Sequence, residues 1–315
     1  MRQGIGVYFD QDLLLPLVNE DRDYTMGVGI EFFQEDEGFY PFEYPLKLVA
    51  RFLGIHEAER RVRRSYLLGS VNYTPDDLSA SAPLVGERPY ASVLYLANKR
   101  VLADRQKAVG VEVQVGLLGT YLAREIQRKL HRAWRGATGS DQPVTPRGWS
   151  NQVSAGGEPT LRLRLARSDL LAENPGHWDL ASSADISLGY QTNASLGLAA
   201  RGGVIASPFW SLPYDPINRG HFVPAFGGDE AYFWVAVRGR VVGYDALLQG
   251  QFGDSVLTYD ASRIRRLVLD AGSGVTGSWG GWQLTVSANL KTSELDTGAA
   301  DRTHWWGGLY LVTRF

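Results

Sequence analysis

An alternation of apolar and polar residues recurs along this chain and constrains its fold more than any other feature. The segment Trp282–Lys291 reads WQLTVSANLK, and residues 160–167 read TLRLRLAR. A period of two predicts a β-strand with one apolar and one polar face. Twelve such strands are predicted, at residues 4–12, 24–33, 63–74, 88–102, 109–119, 160–167, 178–191, 194–205, 232–244, 258–278, 282–291 and 304–315.

The number and length of these strands favour a membrane barrel. Alternating strands of about ten residues are typical of outer-membrane barrels, although the strands of a large soluble β-sandwich also alternate. The last strand ends at Phe315, with Thr313, Leu311 and Leu309 on the same face. Such an aromatic end resembles the signal read by the bacterial outer-membrane assembly machinery. We predict an all-β chain with one domain over residues 1–315, a 12-stranded antiparallel transmembrane β-barrel with a short helix in an external loop.

The composition agrees with this fold and excludes several functional classes. The 36 glycines, 15 tyrosines and 9 tryptophans suit a β-protein with aromatic belts. Cysteine is absent, which excludes disulfides, thiolate catalysis and cysteine metal ligands. A net charge of −2 without a basic block argues against a nucleic-acid partner. Neither a transmembrane helix nor a signal peptide is apparent, so we expect a mature protein of the bacterial outer membrane.

A candidate catalytic pair follows the fifth strand. The segment TYLAREIQRKLHRAWRG predicts a helix of about four turns. Gln127 and His131 are four residues apart on it and share one helix face. A loop carrying PRGWSNQ (146–152) comes next. With an even number of strands, this loop opens on the external side, as do the loops that begin near Asp12 and Pro75.

These external residues suggest hydrolysis by activated water. Histidine can take a proton from water, and carboxylate and amide oxygens suit a divalent cation such as calcium, which can polarise an ester carbonyl. The chain has no G-x-S-x-G, H-E-x-x-H or G-x-x-x-x-G-K motif. Structural interpretations remain open: His131 as a packing or surface residue, residues 10–12 as a solvated strand end, and Trp149 as a member of an interfacial belt.

Eight segments, in this order, carry a family resemblance: DQD (10–12), DRDYTMG (21–27), NYTPDD (72–77), ERPYASVLYL (87–96), REIQRKLH (124–131), PRGWSNQ (146–152), ALLQG (246–250) and the terminal strand. Together they resemble the outer-membrane lipid A 3′-O-deacylases and cover almost the whole chain. The resemblance implies a twelve-stranded barrel with its active site between the barrel wall and an external helix. It also implies a calcium ion that forms the oxyanion hole and a histidine that activates water.

The resemblance assigns roles by position. His131 corresponds to the general base, and Gln127 is its neighbour on the helix. Asp12 corresponds to the acidic residue next to the metal, and Thr25 to a polar partner in the site. Glu158 is a further candidate metal ligand.

Two positions depart from the family pattern. Gln11, a candidate metal ligand, stands where the family usually has Asn, so its amide arm is longer by one methylene. The family's site lysine has no counterpart between Arg64 and Arg88. Arg88 is the candidate substitute, although arginine is not equivalent to lysine. Arg88 and Trp149 are the candidate substrate contacts.

We therefore expect a calcium-dependent hydrolase that removes the 3′-linked acyloxyacyl chain from lipid A by histidine-activated water. Its expected partners are lipopolysaccharide and outer-membrane lipids, and it is expected to be a monomer. Two alternatives stay open: a phospholipase-type acyl hydrolase, and a non-catalytic barrel that acts as a pore or binding protein.

Overall fold

The structure is a computed structural model that describes residues 3–15, 23–34, 48, 51–52, 61–122, 124–125, 128–129, 146–212 and 227–315. Twelve β-strands within these ranges close into one antiparallel barrel, as the sequence predicts. Among the described residues, no helix is long and apolar enough to cross a membrane.

Each strand pairs with the next along the chain, and the first pairs with the last. The strands are β1 (Gln3–Gln11), β2 (Asp23–Gln34), β3 (Arg61–Thr74), β4 (Ala91–Ala103), β5 (Lys107–Leu118), β6 (Glu158–Asn174), β7 (Trp178–Gly189), β8 (Gln191–Val204), β9 (Glu230–Asp245), β10 (Leu267–Trp279), β11 (Trp282–Lys291) and β12 (His304–Arg314). Short helical turns lie between them at Asp12–Leu14, Gly148–Asn151, Phe209–Ser211, Ala246–Gln249, Ala261–Arg263 and Gly298–Ala300.

The closing pair, β1 with β12, defines the two ends of the barrel. Gly4 pairs with Arg314, and Gln11 pairs with Gly307. Both ends of the chain therefore lie at one rim, which we call the lower rim. The loops that follow β1, β3, β5, β9 and β11 leave from the opposite, upper rim.

The predicted strand boundaries are close to the observed ones, with two larger differences. β6 continues to Asn174 because Arg167 is neutralised within the strand by Asp169, whose Oδ2 accepts from Arg167 Nε at 2.7 Å. β10 begins at Leu267 rather than near residue 258. In the segment before it, the Tyr259 hydroxyl donates to the Glu87 carbonyl at 2.6 Å, so this segment ties two upper loops together.

The two faces of the barrel wall differ as the alternation predicts. On β6, Leu161, Leu163 and Leu165 point outward and are 54, 43 and 38% exposed. Arg162 and Arg164, between them, point inward and are 2% exposed. An apolar outer band around a polar interior is the arrangement of a membrane barrel.

Ion pairs fill the interior at mid-height. Arg162 Nη2 donates to Glu112 Oε1 at 2.9 Å, and Arg164 Nε donates to Asp185 Oδ1 at 2.9 Å. Between the neighbouring strands β9 and β10, Arg240 Nη2 donates to Asp270 Oδ1 at 2.7 Å. Each buried positive charge is paired with a negative one, which their burial requires.

The segment between β8 and β9 fills the lower mouth. Phe209, Trp210 and Leu212 are 5, 1 and 2% exposed and join the interior aromatic cluster. The segment is fixed by Arg201, whose Nη1 donates to Ser207 Oγ at 3.0 Å. With the ion pairs above it, this packing argues against an open channel through the described part of the lumen.

A second charged cluster lies inside the upper rim. Arg88 Nη1 donates to Glu294 Oε2 at 2.6 Å, and Lys291 Nζ donates to Glu294 Oε1 at 3.1 Å. The Arg88 guanidinium also stacks 3.8 Å from the Tyr73 ring centroid. Burial opposes ionisation of Glu294, but Lys291 and Arg88 outweigh it and hold the pKa of this carboxyl well below its usual range.

Replacing Glu294 with glutamine should destabilise the barrel. The substitution leaves Arg88 and Lys291 buried without their counter-charge, which costs roughly 3–5 kcal/mol. Urea unfolding in lipid vesicles, followed by tryptophan fluorescence, would measure the loss. Glu125→Gln is the matched control, because Glu125 is 42% exposed in its pair with Arg128 and should lose about 1 kcal/mol or less. Equal losses of unfolding free energy in the two variants would contradict the stabilising role given to Glu294.

The lowered pKa of Glu294 also predicts the direction of a pH effect. The unfolded chain binds the proton first, so the stabilisation by Glu294 is fully present above the unfolded pKa of about 4.3. It is lost as the pH falls through the lower, folded-state pKa. Unfolding curves from pH 7 to 3 should therefore show an acid-dependent loss that is smaller in Glu294→Gln. A variant with the same pH dependence as the original chain would oppose this explanation.

Candidate functional site

A row of outward-facing residues near the upper rim departs from the apolar pattern of the barrel wall. Gln11 on β1 pairs with Met26 on β2, Met26 with Asn72 on β3, and Asn72 with Ser92 on β4. All four are buried, with exposures of 1–8%. We call this row, together with Asp12, Thr25, Thr74 and Gln152, the wall patch.

The outward column of β3 shows where the wall patch begins. Tyr66 and Leu68 are apolar or aromatic and 43 and 53% exposed, as expected for a lipid-facing surface. The next outward positions, Ser70, Asn72 and Thr74, are polar and at most 4% exposed. Polar groups on a lipid-facing strand are costly. Their burial shows that this upper part of the outer wall is withdrawn from lipid and solvent.

A β-bulge gives Thr25 its place in the wall patch. The β2–β3 register shifts between Tyr24 and Met26, so Thr25 is the extra residue. Bulges of this kind re-aim a side chain. Thr25 Oγ1 lies 2.6 Å from Thr74 Oγ1, which joins the two hydroxyls in one hydrogen bond.

Gln11 and Asp12 contribute oxygens at the upper end of β1. Gln11 Nε2 donates to Asp12 Oδ1 at 3.0 Å, and Asp12 is 1% exposed. Gln11 Oε1 is buried and accepts no hydrogen bond from the described residues. A buried carbonyl oxygen of this kind, beside a carboxylate, is a suitable donor for a hard cation. No group of three or more His, Asp or Glu side chains among the described residues forms a metal-ligand cluster.

Gln152 attaches the loop after β5 to the wall patch. Ser92 Oγ donates to Gln152 Oε1 at 2.9 Å, and Gln152 Nε2 donates to the Thr120 carbonyl at 3.4 Å. Val153 N donates to the Tyr90 carbonyl at 2.8 Å. The PRGWSNQ segment therefore lies against the upper end of β4.

Two of the predicted site residues are packed away from the wall patch. Trp149 is 2% exposed, with its ring centroid 4.9 Å from that of Tyr90, so it holds the loop in place rather than presenting a surface to substrate. Arg88 is 1% exposed inside the barrel and engaged by Glu294. Both residues are enclosed in the described structure, and their role as substrate contacts stays a prediction.

The helix predicted after β5 from Thr120 is helical at its described residues from Leu122 onward, whereas Thr120 and Tyr121 are not helical. Leu122, Arg124, Glu125, Arg128 and Lys129 are helical, with Glu125 N donating to the Tyr121 carbonyl at 3.4 Å. The proposed catalytic pair on this helix, Gln127 and His131, lies outside the described residues.

Glu158 is separated from the other predicted metal ligands. It begins β6, five strands along the wall from β1. Its Oε1 accepts from the backbone of Phe252 at 2.5 Å and of Gly253 at 3.3 Å. The structure therefore brings together Gln11, Asp12 and Thr25, and it leaves Glu158 at another part of the rim.

Sequence reasoning missed Asn72, Thr74 and Ser92. The signal was available in the strand periodicity. NYT and PYASV place polar residues at outward positions, whereas other outward positions of the same strands are apolar or aromatic. A polar residue on the outward face of a barrel strand indicates a covered or functional surface.

The inner side of the same wall is rigidly packed. Tyr24 donates to Asp10 Oδ2 at 3.1 Å, and its ring centroid lies 4.9 Å from that of Trp306. Asp10 therefore faces inward and supports the wall, whereas Asp12 belongs to the wall patch.

Arg302 fixes the start of β2 next to the wall patch. Its Nε donates to Asp23 Oδ2 at 2.6 Å, and its Nη2 donates to Glu87 Oε2 at 2.8 Å. Burial lowers the pKa of Arg302, but the hydrogen bonds to Glu87 and Asp23 outweigh it and raise this pKa above its usual value. Asp23 has a φ of +64°, a strained backbone for a non-glycine residue, two positions before Thr25.

Comparisons with known proteins agree on a family and a fold. A family described as "Outer membrane protein LpxR" matches residues 2–315. LpxR from Salmonella typhimurium superposes with a TM-score of 0.75 at 16% identity, covering 99% of this chain and 100% of that one. An outer membrane channel from Pseudomonas putida F1 gives a TM-score of 0.49 at 11% identity, covering 100% and 95%. No curated protein sequence gives a significant match.

Arg302→Lys should loosen the upper rim while it keeps the positive charge. Lysine cannot reproduce the fork that reaches both carboxylates, so we expect a loss of about 2 kcal/mol in unfolding free energy. Urea titration would measure it. Arg265→Lys is the control, because Arg265 pairs with Asp296 and Asp301 at 39% exposure and its replacement should change stability far less than that of Arg302. No difference between the variants would oppose the role given to Arg302.

Proposed function

This chain belongs to the LpxR family of outer membrane proteins, and we propose that it hydrolyses the 3′-linked acyloxyacyl chain of lipid A. The outer membrane is its location. The observation that carries the proposal is the wall patch, a set of buried polar groups on the outward side of a membrane barrel. A lumen filled by ion pairs leaves the outside of the wall as the surface for chemistry.

The position of the wall patch suits an ester at the boundary between headgroup and acyl chains. Below it on β3, Leu68 and Tyr66 form lipid-facing surface. Above it, the loops of the upper rim begin. An amphiphile with its chains along the wall would place its ester linkages between these two levels.

The proposed reaction is direct attack by water. His131, as general base, takes a proton from a water molecule while the water oxygen bonds to the ester carbonyl carbon. The bond between the carbonyl carbon and the 3′ oxygen then breaks, the acyl chain leaves as a carboxylic acid, and His131 returns its proton to the 3′ oxygen. Gln127, on the same helix face, would orient His131 or the water.

We also propose a bound calcium ion, for which the wall patch supplies some of the oxygen ligands but not all of them. Gln11 Oε1, buried and unbonded among the described residues, and the Asp12 carboxylate would hold the ion. Calcium takes about six to eight oxygens, so backbone carbonyls, water or substrate would supply the remainder. When bound, the ion would supply positive charge for the ester carbonyl oxygen.

The departure at position 11 has a structural counterpart. The longer arm of Gln11 lets its Nε2 reach Asp12 Oδ1 at 3.0 Å while its Oε1 stays available. The amide thus holds the carboxylate in place and offers a second oxygen. Thr25, bonded to Thr74, would act as a nearby polar partner for the reacting ester.

Mass spectrometry of lipid A incubated with the purified protein would test the activity. We expect loss of the 3′-acyloxyacyl chain in the presence of calcium and none with a chelator. His131→Ala and Asp12→Asn should each lower the rate by about 10² or more, since each removes a proposed catalytic or metal-binding group. Asp77→Asn is the control for charge removal, because Asp77 belongs to an exposed turn closed by Ser79.

The outcome also separates the alternatives. Release of fatty acid from glycerophospholipid but not from lipid A would replace the proposal with a phospholipase-type activity. Conductance without hydrolysis would support a pore and would contradict the filled lumen. Unchanged rates in both His131→Ala and Asp12→Asn would reject the proposed mechanism even if lipid A is cleaved.

Gln11→Leu tests the proposed metal ligand separately. The substitution keeps the volume of the side chain but removes Oε1 and the bond to Asp12. The calcium concentration for half-maximal activity should rise by about tenfold or more. Gln114→Leu, inside the barrel and bonded to Glu112 at 2.9 Å, is the matched control and should not shift it. Equal calcium dependence in the original chain and Gln11→Leu would remove Gln11 from the site.

A further inference from the structure

The upper rim has a notch at the hairpin of β7 and β8. Gly189 ends β7 opposite Arg162 of β6, and β8 begins two residues later at Gln191. β6 itself begins at Glu158, four positions beyond this pairing. The wall is therefore lower at this hairpin than at β6.

A turn from the loop after β9 bridges this notch. Glu158 Oε1 accepts from Phe252 N at 2.5 Å, and Gln251 Nε2 donates to the Pro159 carbonyl at 3.0 Å. Thr160 Oγ1 donates to Gln251 Oε1 at 2.7 Å. Three separate bonds thus fix the turn to β6 and leave a preformed opening beneath it.

The opening is a groove of about 580 Å³ with a mainly apolar lining. Its lining includes the apolar and aromatic residues Pro159, Leu161, Tyr190, Tyr244 and Phe252, together with Thr160, Gly189 and Gln251. Its size lies within the range of roughly 300–1,000 Å³ found for small-molecule sites. Phe252 is 87% exposed, an unusual position for a large aromatic side chain without a partner.

The polar side chains that line the groove are hydrogen-bonded, whereas Oε2 of Glu158, next to Phe252, is buried without a partner among the described residues. Gln251 is bonded to Thr160 and Pro159, the Tyr244 hydroxyl donates to the Gly250 carbonyl, and the Tyr190 hydroxyl donates to Gln114 Oε1 at 2.7 Å. The groove therefore presents carbon surface and no vacant donor or acceptor from these side chains. This chemistry selects an aliphatic ligand rather than a polar one.

The groove continues the lipid-facing surface of the barrel. Leu161, in its lining, is the uppermost of an outward column that continues with Leu163 and Leu165. On the neighbouring strand, Ile186 and Leu188 are 55 and 56% exposed below the notch. An acyl chain lying along this column would reach the groove without leaving apolar surface.

We propose that this groove binds an acyl chain of lipid A from the outer leaflet. The groove is at the upper rim, opposite the rim at which β1 begins and β12 ends, and lies on β6 to β9, whereas the wall patch lies on β1 to β4. It is a second lipid site, and it depends on the outer-membrane location rather than on the proposed deacylase activity.

Photo-crosslinking in nanodiscs tests the site. Lipid A with a diazirine in one acyl chain is reconstituted with the full chain, irradiated, and mapped by peptide mass spectrometry. Labelling at Phe252 and Tyr244 should exceed that at Leu267 and Leu269 by about tenfold. Those two residues are outward-facing and 71 and 48% exposed at the upper end of β10, so they report ordinary lipid contact.

Two tryptophan variants and a second lipid complete the experiment. Leu161→Trp fills the groove and should reduce the labelling to the level of the β10 residues. Leu163→Trp, two positions lower on the same outward column, should leave it unchanged. A phosphatidylcholine with the same diazirine chain should label the groove no more than β10.

Each alternative result overturns the proposal. The proposal fails if the groove and β10 are labelled equally. It also fails if phosphatidylcholine labels the groove as strongly as lipid A does, or if labelling persists in Leu161→Trp. The same measurement in His131→Ala separates this proposal from the proposed reaction. Labelling that persists there supports a lipid site even if the hydrolysis assay fails.

Discussion

Arginine–carboxylate pairing between strands on the inner face of the barrel is the interaction on which the rest of this structure depends. Eight strands enclose an interior that side chains just fill, so twelve strands leave a wider one. Long arginine side chains extend into that interior and pair with carboxylates of the neighbouring strand, as Arg162 does with Glu112 and Arg240 with Asp270. Because each guanidinium finds a carboxylate on another strand, the interior is filled and the wall is held from within. The wall patch on the outer side of β1 to β4 has this rigid interior behind it.

The fold could be predicted because a barrel repeats one local signal many times. The segment TLRLRLAR alone predicts that one face of β6 is apolar and the other charged. The structure confirms this prediction, because Leu163 is exposed and Arg164 is buried. Strand ends were harder to predict, since they depend on partners distant in sequence. Tyr259 continues the alternation of its segment, but its hydroxyl bonds to Glu87, more than a hundred residues away, and β10 starts later.

The candidate site was only partly predictable. Asp12 and Thr25 were found through a family resemblance, and the structure places both in the wall patch. Arg88 was suggested in place of the family's site lysine and Trp149 from the PRGWSNQ segment. Their burial depends on tertiary packing that the sequence does not reveal, and both are enclosed. Asn72 and Ser92 were missed because the row they form requires strand register, which no single segment encodes.

The filled lumen also has a consequence for the cell. The outer membrane protects a bacterium by its permeability barrier, and most barrels that add a function there also add a path for solutes. Here the interior of the described barrel is occupied from the Trp210 segment at the lower mouth to Arg88 at the upper one. The described part of this barrel therefore adds no open path for solutes, so the chemistry on its outer wall is separated from permeation through its interior.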